Sequence, residues 1–209
     1  MIQLVFPLFI LFIGLLTLCI LWRINSRKYI SSGTVASAYD AWTKDKLLER
    51  LWGEHIHLGF YATGKQNIDF REAKVQFVHK LVNWSGLDKL PEGSRILDVG
   101  CGIGGSSRIL AKYYGFNVTA ITISPAQVKR ARELTPSGLN CNFLVMDALN
   151  LKFEDGSFDA VWSVEAGAHM NDKNKFADEM LRILRPGGYL AIADWNSRDL
   201  RAYPPTFLR

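Results

Sequence analysis

The chain is poor in cysteine, with three in 209 residues. Cys19, Cys101 and Cys141 lie far apart and form no C-x-x-C pair. That excludes a disulfide framework and a cysteine zinc site, and leaves three reduced thiols. No aromatic-plus-basic stripe is present, and the formal net charge of +5 is spread among interleaved acids. A solvated surface is therefore expected, with no nucleic-acid partner. His55 and His57 make an H-x-H pair, a weak metal signal, so no metal site is assigned and surface or active-site histidines are expected. Residues 1–22, "MIQLVFPLFILFIGLLTLCILW", lack charge altogether. As a helix they would span about 33 Å, enough for a membrane core. Arg23, Arg27 and Lys28 follow directly, which would keep the rest of the chain on the cytoplasmic side. A cleaved signal peptide fits less well. Ala36-Ser37-Ala38 offers a cleavage match, but no basic segment precedes the apolar run, and the run is too long.

What is present is a core-forming composition, 48% hydrophobic and 22% charged, in a length that suits one domain with an appendage. Residues 23–39 read as a polar linker. "DAWTKDKLLERLW" (40–52) spaces Trp42, Leu47, Leu48, Leu51 and Trp52 near helical period, and "GEHIHLGFYATG" (53–64) breaks it into a loop. "DFREAKVQFVHKLVNWSG" predicts a helix with Asp69 and Glu72 as a capping box and Gly86 at its close. Its apolar stripe would be Phe70, Ala73, Phe77, Val78, Leu81 and Trp84. From Arg95 strands and helices alternate. The strands are "RILDVG", "NVTAITI", "CNFLVMDA", "FDAVWSVEA" and "YLAIADW"; the helices are "GSSRILAKYYG", "SPAQVKRARELT" and "NKFADEMLRIL", the last stopped by "RPGG". This pattern predicts an α/β fold, a parallel sheet covered on both faces that binds ligand at the strand carboxyl ends. The expected organisation is an anchor (1–22), a linker with a helical segment (23–90) and a Rossmann-like domain (91–209).

Gly100, Gly102 and Gly105 fit G-x-G-x-x-G, with Gly104 inside the same loop. Alone that pattern is weak. Asp98, two residues before the first glycine, would repel a pyrophosphate and favour a sulfonium cation. The second strand ends Thr122-Ile123-Ser124, without the ribose-binding acid of a dinucleotide site, and no Walker lysine follows the loop. Thr122 and Gln127 stand where that strand enters its helix and can reach ribose hydroxyls; Ser124 caps the helix. Asp147-Ala148 closes the third strand, where a carboxylate can accept from an adenine amino group. Asp147 as a turn cap and Gln127 as only the end of a capping box stay open. Together these residues favour an adenosyl ligand, S-adenosylmethionine.

"ILDVGCGIGGSS", "ITISPAQ", "MDAL" and "RPGG" resemble the motifs of class I S-adenosylmethionine-dependent methyltransferases. "ITISPAQ" is similar to the branch of tocopherol, sterol and cyclopropane-fatty-acid methyltransferases, which often replaces the second-strand acid. "YDAWTKDKLLERLWGEHIHLGFY", "VWSVEAGAHMNDK" and "ADWNSRD" extend the likeness to the cyanobacterial 2-methyl-6-phytylbenzoquinol methyltransferase family, over nearly all of residues 30–200. The resemblance implies C-methylation of a prenylated benzoquinol, phytyl or solanesyl, on the way to tocopherol and plastoquinone. Partners would be that quinol and membrane lipid, at a plasma or thylakoid membrane. The family continues well past "ADWNSRD", and Pro204-Pro205 argues against a further strand here. The chain is therefore expected to be a C-terminally truncated fragment with a bare fifth strand.

Methylating an aromatic carbon calls for a general base at the ring hydroxyl. The candidates are His57 in "GEHIHLGF", and Glu165 with His169 in "VEAGAHM", which would share a face if helical. Tyr61 or Trp162 could face the cation through its ring. A tether would bring the enzyme to a tail that lives in the bilayer. Tocopherol or sterol methylation by the same fold, and an inactive cofactor-binding fragment, are the alternatives; a nicotinamide-dependent reductase is disfavoured by the missing ribose acid.

Overall fold

The computed structural model describes residues 12–18, 32–62 and 68–196. The chain divides into two units, residues 1–34 and residues 35–209. In the first, residues 12–18 are helical and their large apolar side chains, Phe12, Ile13, Leu15, Leu16 and Leu18, are exposed. The rest of the predicted span 1–22 lies outside the described residues. Among the described residues no helix is long and apolar enough to cross a membrane.

The second unit is an α/β layer structure. Its strands are β1 (Arg95–Val99), β2 (Asn117–Thr122), β3 (Cys141–Val145), β4 (Phe158–Val164) and β5 (Leu184–Ala193). They pair in parallel in the order β3-β2-β1-β4-β5. The order reverses between β1 and β4, so a cleft opens at the carboxyl ends of those two strands. The helices are α1 (Ser32–Lys44), α2 (Leu47–Trp52), α3 (Phe70–Ser85), α4 (Gly105–Tyr114), α5 (Pro125–Leu134) and α6 (Lys173–Ile183).

Side-chain alternation divides the core into two layers. Ile96 of β1 joins Val78 and Val82 of α3, Leu110 of α4, Val128 of α5 and Phe143 of β3 on one face. Leu97 and Val99 join Ile121 of β2, Val161 of β4, and Phe176, Met180 and Ile183 of α6 on the other. A sheet covered on both faces needs such near-continuous apolar strands.

Four details depart from the sequence reading. The first helix begins at Ser32, inside the predicted linker, and ends at Lys44; Lys46 turns left-handed (φ 56°) and separates α2. Trp84 is 79% exposed and outside the α3 stripe, whose buried apolar residues are Ala73, Val78, Leu81 and Val82. The "RPGG" stop is not a plain loop: Pro186 to Gly188 form a bulge within β5, where pairing jumps from Phe158–Leu184 to Ala160–Tyr189. The turn after β4 is a short 3₁₀ helix over Gly167–His169, so Glu165 and His169 do not share an α-helical face.

Asp69 caps α3 by accepting from the amides of Arg71 and Glu72. Replacing it with Ala should cost about 1 kcal/mol. Leu110→Ala, at a fully buried position, should cost about 2–5 kcal/mol. Urea unfolding of the two variants checks the ranking.

Candidate functional site

The glycine loop leaves β1 and bends toward β2, where Ile121 O accepts from the amides of Gly100 (2.9 Å) and Cys101 (3.0 Å). Gly100 is left-handed (φ 80°), and a Cβ there would collide with the Ala166 side chain after β4. Gly102 is left-handed too (φ 56°), but a Cβ on it would meet nothing within 4 Å. The first glycine thus admits a neighbouring loop, and the second presents bare backbone to open space. Gly104 caps α4, against the Phe143 ring.

Asp98 lies beneath this loop, 2% exposed, and accepts a 2.6 Å hydrogen bond from Ser107 Oγ. Burial raises its pKa to about 7, with the Ser107 bond pulling the other way. No cation forms a salt bridge with it among the described residues. A sealed, uncompensated carboxyl is the strongest electrostatic feature here, and it suits a cationic ligand.

The next strand end holds a closed network. Thr122 Oγ1 donates to Gln127 Oε1 at 2.6 Å and accepts from the Ser124 amide at 3.3 Å. Ser124 Oγ accepts from the Gln127 amide at 3.1 Å, so the predicted capping box closes through Thr122. All three side chains are buried. Asp40 of α1 accepts from Ser124 Oγ and, at 3.1 Å, from the Ala126 amide. An acid therefore does stand at the end of β2, supplied by the N-terminal segment. At β3, Asp147 forms a turn, its Oδ1 accepting from the Leu149 amide at 2.9 Å, with Ala148 buried beside it.

The proposed bases separate. His169 Nε2 is 2.9 Å from the Tyr39 hydroxyl of α1, and the rings meet edge to face. Tyr39 has a raised pKa, from burial and then from the negative charge of Glu165. It is therefore a neutral phenol, a donor toward His169. Glu165 has a left-handed backbone (φ 52°), its amide donates to Ala193 O, and its Oε1 accepts from the Leu58 amide at 3.0 Å. His57 is engaged at both ring nitrogens: Nδ1 donates to Leu58 O (2.7 Å), and Nε2 faces His55 Nδ1 (3.1 Å). Burial lowers the pKa of both rings, that of His55 to about 3. His57 thus holds the loop's shape and has no free nitrogen for a substrate proton. Trp162 is sealed in the core, its indole N–H unpartnered, and Tyr61 is 54% exposed at the end of the described loop. Among the described residues no group of three or more His, Cys, Asp or Glu could hold a metal ion.

Tyr39, Asp40 and Arg108 were not singled out from the sequence. The adjacent Tyr-Asp pair is the available signal, but it straddles the boundary between the linker expected over 23–39 and the helical stretch expected from Asp40.

Three comparisons bear on this geometry. Residues 97–192 match the family described as "Methyltransferase domain". The chain is 60% identical over 187 residues to the 2-methyl-6-phytyl-1,4-hydroquinone methyltransferase of Synechocystis sp., covering 90% of this chain and 59% of that protein. It is 42% identical over 166 residues to the chloroplastic tocopherol O-methyltransferase of Arabidopsis thaliana, covering 75% of this chain and 48% of that one. Among solved structures, the [4+2]-cyclase SpnF superposes with a TM-score of 0.71 at 28% identity, over 78% of this chain and 60% of its own. The chain thus spans about half the length of these curated relatives.

Asp98 generates a pH test. Its carboxyl is protonated in the folded state up to about pH 7, but in the unfolded chain only up to about pH 3.9. Between those values the folded state binds more protons, so this group's contribution to stability falls as pH rises, by up to roughly 1.4 kcal/mol per unit. In Asp98→Asn that component should vanish. Urea titrations of both proteins at pH 5 and pH 8 read it as a difference of differences.

Proposed function

We propose, on the footing that residues 97–192 match the methyltransferase-domain family, that this chain takes part in S-adenosylmethionine-dependent C-methylation of a prenylated benzoquinol. The observation that carries the reading is the buried, uncompensated carboxyl of Asp98 under an open glycine backbone, with the Tyr39–His169 pair after the neighbouring strand. The relatives, a phytylhydroquinone and a tocopherol methyltransferase, support the acceptor class.

The residues fit the cofactor. S-adenosylmethionine supplies a methyl group already activated on a sulfonium. Asp98 offers negative charge to its cationic end, and such a partner would return the raised carboxyl to its ionised form. Gly102 leaves bare backbone open to close approach, while Gly100 and Gly104 make room for Ala166 and the Phe143 ring and so shape the loop. Thr122, Ser124 and Gln127 brace the end of β2. Asp40 and Asp147 are the acids there and at β3, for ribose hydroxyls and an adenine amino group respectively.

The chain's own chemistry is mainly alignment and proton handling. An aromatic carbon becomes nucleophilic as its ring hydroxyl gives up a proton. His169 Nε2 receives it through the Tyr39 hydroxyl, which passes its own proton on as it accepts the substrate's. Glu165 accepts from the Leu58 amide at 3.0 Å and so ties the 52–60 segment to the turn that carries His169. The ring carbon would gain the methyl as the sulfonium leaves as a neutral thioether, and its hydrogen would return as a proton to the ring oxygen, so that the one net proton released is the one on His169.

We propose further that the chain works at a membrane surface, its catalytic part on the cytoplasmic side. The uncharged segment 1–22 followed by Arg23, Arg27 and Lys28 supports this. So do the exposed apolar side chains of the N-terminal segment: Trp42, Leu47, Leu51, Trp52, Phe60 and Tyr61.

The test is transfer of labelled methyl from S-adenosylmethionine to 2-methyl-6-phytyl-1,4-hydroquinone, with product analysis separating C- from O-methylation. His169→Ala and Tyr39→Phe should each lower kcat by about 10²-fold or more. Full kcat in His169→Ala would remove the histidine from the mechanism. Deleting residues 1–22 should lower the rate on quinol embedded in vesicles and spare the rate on a tail-less analogue in solution. Equal rates on both would remove the tether from the proposal.

A further inference from the structure

Lys74 is buried, 3% exposed, in the middle of α3. Among the described residues no carboxylate forms a salt bridge with it. Its ammonium donates instead to Trp52 O (2.7 Å) and His55 O (2.8 Å), and lies over the rings of Trp52 (4.9 Å) and Phe70 (5.0 Å). An apolar side chain would fill such a place at lower desolvation cost. What the ammonium secures is the turn between its two acceptors, residues 52–55, where Gly53 is left-handed (φ 84°).

Two lines of contact run from that turn. In one, Glu54 Oε2 accepts from Arg108 Nη2 at 2.7 Å, and Arg108 Nη1 donates to Ile103 O, inside the glycine loop, at 2.8 Å. The loop crosses so close over α4 that a Cβ on Gly105 would stand 2.6 Å from Glu54 O and 2.8 Å from the His55 ring. In the other, His55 Nδ1 and His57 Nε2 are 3.1 Å apart, His57 Nδ1 donates to Leu58 O, and the Leu58 amide donates to Glu165 Oε1. Because His57 Nδ1 carries a proton for Leu58 O, its Nε2 must accept from His55 Nδ1–H. Two neutral rings in fixed tautomers satisfy the whole line. Phe60 N returns the loop to α3 at Ala73 O (2.9 Å).

We propose that Lys74 is a positioning residue, its ammonium fixing the 52–60 segment so that one group sets both the Ile103 carbonyl of the glycine loop and the Glu165 carboxylate. The inference rests on the methyl-transfer reading for its consequence, since these two points flank the donor and acceptor sides of the proposed site. It does not rest on that reading for its geometry. Lys74 touches neither ligand, and loosening it disturbs both sides together.

The experiment compares the full chain with Lys74→Met and Lys74→Arg. Hydrogen exchange is followed at residues 53–60 and 100–105, along with S-adenosylmethionine titration and kcat per folded molecule. In Lys74→Met, exchange in both segments should speed at least tenfold, including the Leu58 amide. Affinity and kcat should each fall about tenfold or more, and Lys74→Arg should recover most of each. A change confined to residues 53–57, or to thermal midpoint with kcat per folded molecule unchanged, overturns the proposal and leaves Lys74 as packing. If the unaltered chain transfers no methyl, the methyl-transfer reading fails separately, and the joint exchange response of the two segments still decides the positioning claim.

Discussion

A carboxyl sealed at the end of the central strand is the constraint around which this molecule is arranged. Asp98 sits where β1 is flanked by β2 and β4, and the only hydrogen bond to its carboxyl among the described residues comes from Ser107 at the start of α4. Burying an acid there costs the isolated protein free energy, visible as a carboxyl that holds its proton to about pH 7. The glycine loop, the cap of α4 and the close approach of Ala166 all keep that position enclosed yet within reach of one open backbone stretch at Gly102. A cation arriving over the loop converts the cost into binding.

The N-terminal segment completes the picture in a way that strand order alone would not. Tyr39 and Asp40 are adjacent on α1 and diverge, one to His169 after β4 and the other to the head of α5. Glu49 of α2 adds a paired contact to Arg130 of α5 through both its oxygens (2.7 and 2.8 Å). The segment therefore spans both sides of the strand-order reversal, holding the His169 ring on one and a helix terminus on the other. Several of its large apolar side chains, Trp42, Leu47, Leu51 and Trp52 among them, are exposed.

The sheet was legible because its signals are local. Five apolar strands separated by amphipathic helices carry their period in a few residues each, and the glycine spacing and Ser124-Pro125 start mark where loops give way to helices. The likeness to methyltransferases rested on the same short motifs, and the matched residues 97–192 cover them. What was not legible depends on distant partners. His57 is the exception: its partners, His55 and the Leu58 carbonyl, lie within two residues of it, but the loop conformation that turns the ring onto them is not written in the spacing. Trp162 looked like a cation's partner, but its place in β4 turns it into the core. Asp40 reaches the end of β2 across 84 residues of sequence, so the apparent lack of an acid there was a lack along the chain and not in space. The β5 bulge hid behind "RPGG", whose local chemistry marks a stop although the strand resumes beyond it.

Glu165 carries one more consequence. Its backbone is held at φ 52°, a region that costs an ordinary side chain roughly 1 kcal/mol and glycine almost nothing. The fold would be more comfortable with glycine at this point, and selection for thermal robustness alone would drift that way. Such a drift would leave the Leu58 amide without its acceptor, so the turn keeps a strained backbone in exchange for one link between the 52–60 segment and the end of β4.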